Sequence, residues 1–208
     1  MSITPQNRDI MQLFSGNTQY FLDFYQRDYQ WKKSHIQKLL EDIFYRFNLE
    51  YKPSLDVTVE AVSQFDWYYL NAFVTNEFKG KIFIVDGQQR LTSLTLILIK
   101  LYHLAKKLKP DRANLVQDQI MGVGLYGPTF WMGYGNRSEI LRDLFENGFQ
   151  SYESSQYDLS QRNLYENYKV IDKQLDDFIT DPHKLEAFIL YFLTRVQLVN
   201  IQIQNTKD

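Results

Sequence analysis

The chain has 208 residues, of which 44% are hydrophobic and 16% aromatic, and this predicts an ordered globular protein with a substantial core. It contains no cysteine, which excludes disulfides, cysteine-based zinc sites and a thiol nucleophile. A net charge of −2 gives no overall attraction to nucleic acid. The polar start lacks the apolar core of a signal peptide, and no apolar run approaches the roughly 20 residues of a membrane span. We therefore expect a soluble, cytoplasmic protein without membrane contact.

The first predicted element is a short helix. Thr4-Pro5 has the residues of an N-cap and a first helical position, and apolar residues follow between Ile10 and Phe14. Gly16 is a typical residue for the end of such a helix.

A mixture of aromatic and polar residues follows at Tyr25-Gln-Arg-Asp-Tyr-Gln-Trp31, without the period of a helix or a strand. Two interpretations of this loop remain open. Its rings can cover the edge of the core, with Arg27 stacked on one of them. Alternatively, the loop forms the wall of a cleft in which Arg27 contacts an anion.

The next segment predicts a helix and a hairpin. Apolar residues from Ile36 to Phe47 follow the spacing of one helical face after the cap Ser34. Val57 and Val59 suggest an edge strand. Tyr68–Val74 and Lys81–Val85 read as strands joined by a turn, which predicts a β-hairpin.

The second strand of this hairpin ends at Asp86-Gly-Gln-Gln-Arg90, and a long helix is predicted over Leu91–Leu108. This helix is apolar on nearly every side over its first half, so we expect it to be buried. The first turn of a helix has unpaired N–H donors and the positive end of the dipole. A strand, a tight turn and a buried helix therefore predict an anion site at residues 86–90.

The side chains of this turn suit a phosphate ligand. Asp86 can hold Mg²⁺ or orient a water, and Gly87 lets the backbone approach closely. Gln88 and Gln89 offer amides, and the guanidinium of Arg90 matches a phosphate. The alternative is a purely structural turn, in which Asp86 caps the helix and Arg90 pairs with a carboxylate.

Other candidate sites are weaker. Gly122–Gly127 matches G-x-G-x-x-G, but no strand–helix context surrounds it, so we predict a glycine-rich loop or flap. The three histidines are scattered, which argues against a histidine metal site. A basic group at the end of the long helix, from Lys100 to Arg112, is expected to decorate a solvated surface. The remaining chain predicts three helices, near residues 140–145, 164–178 and 185–193, and a strand over 196–203.

Three segments resemble one protein family. Asp86-Gly-Gln-Gln-Arg-Leu-Thr-Ser-Leu94 closely resembles the D-G-Q-Q-R-L-T-[ST]-L signature of the GmrSD restriction endonuclease N-terminal domain family. Tyr25–Trp31 is similar to the family's Y-Q-R-x-Y-x-W segment. Tyr68–Val74 resembles its strand Y-[FL]-G-S-I-V, with Asn71-Ala72 in place of Gly-Ser. The order and spacing agree from about Ile10 to Leu108.

The resemblance implies an α+β fold of the ParB/sulfiredoxin type, a small mixed sheet with packed helices followed by a mainly helical part. Residues 1–112 would form the nucleotide-binding core and residues 113–208 the helical part. The implied activity is binding and hydrolysis of a nucleoside triphosphate with Mg²⁺, in systems that restrict modified phage DNA. Carried over by position, the implied catalytic residues are Asp86, also the Mg²⁺ ligand, and Arg90, and the nucleotide contacts are Gly87, Gln88, Gln89, Arg90, Arg27, Tyr25 and Gln26.

Two family features are absent from these 208 residues, a later F-E-x-x-N-x-[RK]-G segment and an HNH-type nuclease domain. We therefore expect a C-terminally truncated domain that does not itself cleave DNA. DNA would be reached through further regions or a partner chain, and assembly of the domain into oligomers stays open. Two other hypotheses stay open, a ParB-like DNA-binding module without nucleotide hydrolysis and a structural scaffold.

Overall fold

The structure is a computed structural model, and it describes residues 2–15, 19–22, 28–124, 127–132, 136–150 and 156–204. The described strands are β1 (Ser2–Asp9), β2 (Tyr20–Leu22), β3 (Tyr68–Phe78), β4 (Lys81–Asp86), β5 (Met121–Gly124), β6 (Gly127–Phe130) and β7 (Val196–Gln204). The helices are α1 (Ile10–Leu13), α2 (Lys33–Asn48), α3 (Val59–Ser63), α4 (Gln88–Leu108), α5 (Pro110–Gln117), α6 (Asn136–Asn147), α7 (Leu159–Phe178) and α8 (Pro182–Arg195).

Five strands form a mixed sheet in the order β1-β7-β3-β4-β2. The predicted hairpin is confirmed as the antiparallel pair β3–β4, while β2 runs parallel to β4 and β3 runs parallel to β7. Helices pack against this sheet, so the predicted α+β class with a small mixed sheet is confirmed. The likeness to ParB and sulfiredoxin in particular stays a prediction.

The strand from the end of the chain lies inside the sheet. β7 pairs with β1 on one side and with β3 on the other, so residues 196–204 complete the sheet begun by residues 2–86. The division at residue 112 stays a prediction. Any such division has to assign β7 to the N-terminal core.

Two local predictions near the N-terminus were wrong. Thr4-Pro5 lies in strand β1, because this segment pairs with β7, and tertiary pairing overrides a local helix-start signal. The helix begins later, where the Asp9 carboxylate accepts from the Gln12 N–H at 2.7 Å. Residues 57–59 form no strand, because Thr58 caps α3 instead.

The predicted burial of the long helix is confirmed. Every residue of α4 from Leu91 to Leu101 is buried, including the polar Thr92, Ser93 and Thr95. Neighbouring helices α5, α6, α7 and α8 all contact it. Four other helices therefore surround α4. None of the described helices is long and apolar enough to cross a membrane.

Three residues of the basic group at the end of α4, Lys100, Lys109 and Arg112, are paired with carboxylates, whereas Lys106 and Lys107 are exposed. The Lys100 side chain is 8% exposed, and its Nζ lies 2.7 Å from Asp172 and 2.6 Å from Asp176 on α7. Glu186 on α8 pairs with both Lys109 and Arg112. The prediction of solvated side chains was wrong for Lys100, because its ammonium group joins α4 to two partly exposed carboxylates of α7.

The glycine-rich segment forms a hairpin, β5–β6, and only Leu125 and Tyr126 at its tip lie outside the described residues. At Gly122 a Cβ atom would overlap the Trp131 indole ring, so the glycine is needed for packing. Packing against Trp131 therefore explains the glycine at position 122, and no bound dinucleotide is needed to explain it. The predicted irregular loop is corrected to a paired hairpin at the described positions.

Candidate functional site

The candidate site is the turn between β4 and α4, and Gly87 shapes it. Gly87 is the N-cap of α4 and has φ +93°, a conformation that favours glycine. A Cβ atom there would also lie 2.5 Å from the Cβ of Phe73 on β3. Glycine is therefore required twice, for the backbone angle and for the close approach of the turn to the sheet.

The amino end of α4 has no side-chain cap. Asp86, which the structural interpretation assigned as the cap, ends β4 and is exposed. No described residue accepts a hydrogen bond from the backbone N–H of Gln89 or Arg90. A buried helix of 21 residues therefore presents its positive end to the space beside Asp86.

Arg90 lies in the first turn of α4 and reaches back to the sheet. Its Nη1 donates to the Ala72 carbonyl at 2.6 Å, and none of the described carboxylates forms an ion pair with it. Burial lowers the pKa of the Arg90 guanidinium from its ordinary value, and Asp86 partly offsets this change. An arginine remains protonated at neutral pH, so the guanidinium keeps its charge and has further N–H donors besides the one bonded to Ala72.

Gln89 has a different role, because its amide is occupied by the protein backbone. Its Oε1 accepts from the N–H groups of Gln30 and Trp31 at 2.7 and 3.2 Å. Its Nε2 donates to the Asp28 carbonyl at 2.9 Å. Gln89 thus holds the loop before α2 against the turn. Its predicted role as a nucleotide contact stays a prediction.

Residues 28–31 of this loop are also fixed by a buried polar network. The Tyr29 side chain is fully buried, and its hydroxyl lies 2.7 Å from the Ser93 Oγ of α4. Asn167 of α7 donates to the same hydroxyl at 3.0 Å and to the Trp31 carbonyl at 2.7 Å. Burial raises the pKa of Tyr29 to about 12, so its hydroxyl stays protonated.

Two more residues of α7 hold the Tyr29 backbone, and sequence reasoning missed both. Ser160 Oγ accepts from the Tyr29 N–H at 2.9 Å, and Asn163 donates to the Tyr29 carbonyl at 3.0 Å. The available signal was the spacing of Asn163 and Asn167. Two asparagines four residues apart, beside the apolar Leu164, place amides on the packed face of a helix.

Gln88 begins α4 and lies beside a second arginine that the sequence did not indicate. The Arg137 Nη1 of α6 lies 3.5 Å from the Gln88 Oε1. Burial lowers the pKa of Arg137, and Asp28 partly offsets this change. The turn is therefore bordered by two partly buried guanidinium groups, those of Arg90 and Arg137.

The other predicted contacts from the N-terminal motif, Tyr25, Gln26 and Arg27, lie outside the described residues. The described end of the motif, Asp28–Trp31, packs next to the turn. The two motifs are therefore close to each other at residues 28–31.

No metal cluster lies at the turn. Among the described residues, no group of three or more histidine, aspartate or glutamate side chains is arranged to hold an ion. The histidines are occupied elsewhere: His35 accepts from the Lys32 N–H, His103 donates to the Leu144 carbonyl, and His183 contacts Tyr51 and Leu55. Asp86 alone remains as a predicted metal ligand.

An open cleft of about 400 Å³ begins at Arg90 and extends between α2 and β3. Its lining includes the aromatic side chains Trp31, His35, Tyr68 and Tyr69, and the polar side chains Lys38, Asp42 and Asn71. A volume of this size is typical of small-molecule sites. Arg90 is thus the one residue of the 86–90 turn that also lines the cleft.

The family model described as "GmrSD restriction endonuclease, N-terminal domain" matches residues 10–208. The chain belongs to this family. No curated protein matches the chain. The match includes both motifs and extends through α7, α8 and β7, so the GmrSD N-terminal domain in this chain contains the helices that fix the motif loop as well as the turn.

The structure shows the backbone conformation of one residue that departs from the resembled family pattern. Asn71, which stands in place of the glycine in Y-[FL]-G-S-I-V, has φ +77°. Asparagine tolerates this left-handed conformation better than most residues, and glycine adopts it freely. The substitution keeps the backbone turn and adds an amide to the cleft.

Proposed function

We propose that this GmrSD N-terminal domain binds a nucleoside triphosphate and hydrolyses it, with the phosphates at the amino end of α4. In this proposal the domain serves a restriction protein that acts against modified phage DNA. The observation that carries the proposal is the uncapped amino end of a buried 21-residue helix with the Arg90 guanidinium beside it. Backbone donors, the dipole and a cation together suit a phosphate chain.

Each residue of the turn has a role in this proposal. Gly87 allows the phosphates to approach the backbone, because it has no side chain in the way. Arg90 binds a phosphate oxygen and stabilises the charge that develops during transfer. Gln89 keeps the motif loop in place, and Arg137 adds positive charge near Gln88.

The residues present also suit Mg²⁺ in the form in which nucleotides carry it. Mg²⁺ is commonly held by one or two carboxylates together with phosphate oxygens and waters. Asp86 supplies one exposed carboxylate beside the proposed phosphate site. When bound, the ion would neutralise phosphate charge, and Asp86 would hold it at the end of β4.

Calorimetric titration with each nucleoside triphosphate and Mg²⁺ tests the binding step. We expect the wild-type domain to bind, and Asp86→Ala to lower the affinity about tenfold or more, because a charged metal or water contact is lost. Asp56→Ala is the matched control, since Asp56 is also exposed and lies outside the turn. A folded wild-type domain that binds no triphosphate would overturn the proposal.

Phosphate release under single-turnover conditions tests hydrolysis separately. We expect Arg90→Lys to retain binding but to release phosphate more slowly, because an ammonium cannot replace the planar fork. Binding without any release would reduce the proposal to a nucleotide-binding domain. The alternative of a DNA-binding module is less supported, because Lys100, Lys109 and Arg112 are paired with carboxylates.

A further inference from the structure

The cleft beside Arg90 has the chemistry of a site for a planar ring. The Trp31 indole and the His35 imidazole are stacked, with centroids 5.8 Å apart and 20° between their planes. Tyr69 is 58% exposed. Aromatic faces that stay open to solvent at the wall of a concave site offer stacking surface.

The polar groups of the cleft can form hydrogen bonds with the edge of such a ring. Asn71 Oδ1 accepts from the Ala72 N–H at 2.8 Å, and no described residue accepts from its Nδ2. Asp42 is paired with the exposed Lys38 at 2.9 Å, a contact in water that a ligand can replace at little cost. The cleft thus offers an amide donor and a carboxylate acceptor beside the aromatic rings.

The cleft and the turn share Arg90, and Arg90 is bound to the backbone next to Asn71. Its Nη1 donates to the Ala72 carbonyl at 2.6 Å. A ligand whose phosphates contact Arg90 at the turn can extend along β3 and α2 into the cleft, which has about 400 Å³ of open volume. That volume is sufficient for a base and a sugar.

We propose that this cleft binds the base of the nucleotide, with Tyr69 as a stacking surface and the Asn71 amide as the group that selects the base. This inference rests on the proposed phosphate site, and it names the residues that decide which nucleotide is bound. Asn71 supplies this amide at a position where the strand pattern that the chain resembles has glycine.

The test compares nucleotides with inorganic triphosphate, which has the phosphates but no base. ATP, GTP, CTP and UTP are titrated into the full 208-residue chain with Mg²⁺, alongside inorganic triphosphate. Tyr69→Ala should weaken binding of the preferred nucleotide about tenfold and leave inorganic triphosphate binding unchanged, because only stacking is lost. Tyr45→Ala is the matched control, since Tyr45 is 66% exposed and lies outside the cleft.

Asn71 is tested by two variants that both tolerate its backbone angle. Asn71→Gly removes the amide and suits φ +77°, and Asn71→Asp keeps the acceptor but removes the donor. We expect both variants to change the order of affinities among the four nucleotides. Asn71→Gly should leave inorganic triphosphate unaffected, whereas the negative charge of Asn71→Asp should weaken every phosphate ligand to a similar degree. Urea unfolding confirms that each variant remains folded.

The outcomes separate the two proposals. If Tyr69→Ala and both Asn71 variants leave nucleotide affinities and their order unchanged while Asp86→Ala abolishes binding, the base lies elsewhere and the phosphate site stands. If nucleosides without phosphates bind and respond to Tyr69→Ala but inorganic triphosphate does not bind, the cleft stands and the phosphate site falls. If neither kind of ligand binds the folded chain, both proposals are overturned.

Discussion

Gln89 and Arg90 are neighbours in the first turn of α4, yet they face two regions that differ in how completely their polar groups are paired. On the Gln89 side, the backbone of Asp28–Trp31 is bonded to side chains of α4 and α7, and the Tyr29 hydroxyl is bonded twice. On the Arg90 side, the described partners leave donors of Arg90 and Asn71 unused, and Asp86 is exposed.

The difference assigns separate roles within one short motif. A fully paired buried network fixes one conformation, and a ligand has little to gain by entering it. Unpaired donors next to an open cleft have more to gain from a ligand. We therefore expect changes on the Gln89 side to act mainly on stability and changes on the Arg90 side to act mainly on binding.

The largest expected effect comes from Gly87, which joins the two regions. Gly87→Ala should lower the free energy of unfolding by about 3 kcal/mol or more, because strain at φ +93° adds to a contact with Phe73. Gly80→Ala is the control: it has φ +71° but no atom within 4 Å of an added Cβ, so about 1 kcal/mol is expected. Urea unfolding measures both, and equal losses would contradict the close approach at Gly87.

The second largest effect is expected on the Gln89 side, where the polar groups are paired within the protein. Gln89→Met should lower the free energy of unfolding by about 2 kcal/mol, because it leaves two N–H groups and one carbonyl of the motif loop without their partner. Gln37→Met, at an exposed position of α2, should change stability by less than about 0.5 kcal/mol. Amide hydrogen exchange at Gln30 and Trp31 should accelerate in Gln89→Met alone.

On the Arg90 side, a substitution should affect nucleotide affinity more than stability. Arg90→Ala should cost only about 1 kcal/mol of stability, for the bond to Ala72, but lower nucleotide affinity about tenfold or more. Arg142→Ala, an exposed arginine of α6, should change neither quantity. If Arg90→Ala destabilised the fold as much as Gln89→Met and left titrations with nucleotide unchanged, the division into two regions would be wrong.

The smallest effect is a pH dependence far from the turn, at His103. Burial lowers the pKa of His103 from 6.5, so the unfolded chain takes up the proton first as the pH falls. Stability should therefore be constant above about pH 7 and decrease by less than about 1 kcal/mol toward pH 5.5.

His103→Gln is the matched variant, because an amide can still donate to the Leu144 carbonyl but does not titrate in this range. Thermal unfolding across this pH range should show a smaller decrease for His103→Gln than for the wild type. A steeper decrease in the variant would contradict the sign of the shift.

Much of the site was predictable because its signals are local. A β-branched strand, a glycine turn and an apolar helix specify β4, residues 86–90 and α4 from sequence alone. The position of β7 was not predictable, because pairing between distant strands leaves no local pattern. The Thr4-Pro5 signal failed for the same reason, since pairing with β7 outweighs a helix cap.

The roles inside the motif were also beyond the sequence. Gln88 and Gln89 have the same side chain, and only the structure shows that Gln89 bonds three backbone groups of the motif loop. The left-handed backbone of Asn71 was not predicted, because an asparagine within a strand pattern is only a weak sign of positive φ. Such assignments depend on which partner a side chain meets in three dimensions.

The insertion of β7 between β1 and β3 has a consequence for how the chain folds. Thr75 and Asn200 hydrogen-bond at 2.9 Å although 125 residues separate them in sequence. During synthesis the turn and α4 leave the ribosome long before the strand that completes their sheet. Contacts of such long range slow folding and prolong exposure of unpaired strand edges. The turn at residues 86–90 should therefore reach its final setting in the sheet only after residue 204 has been made.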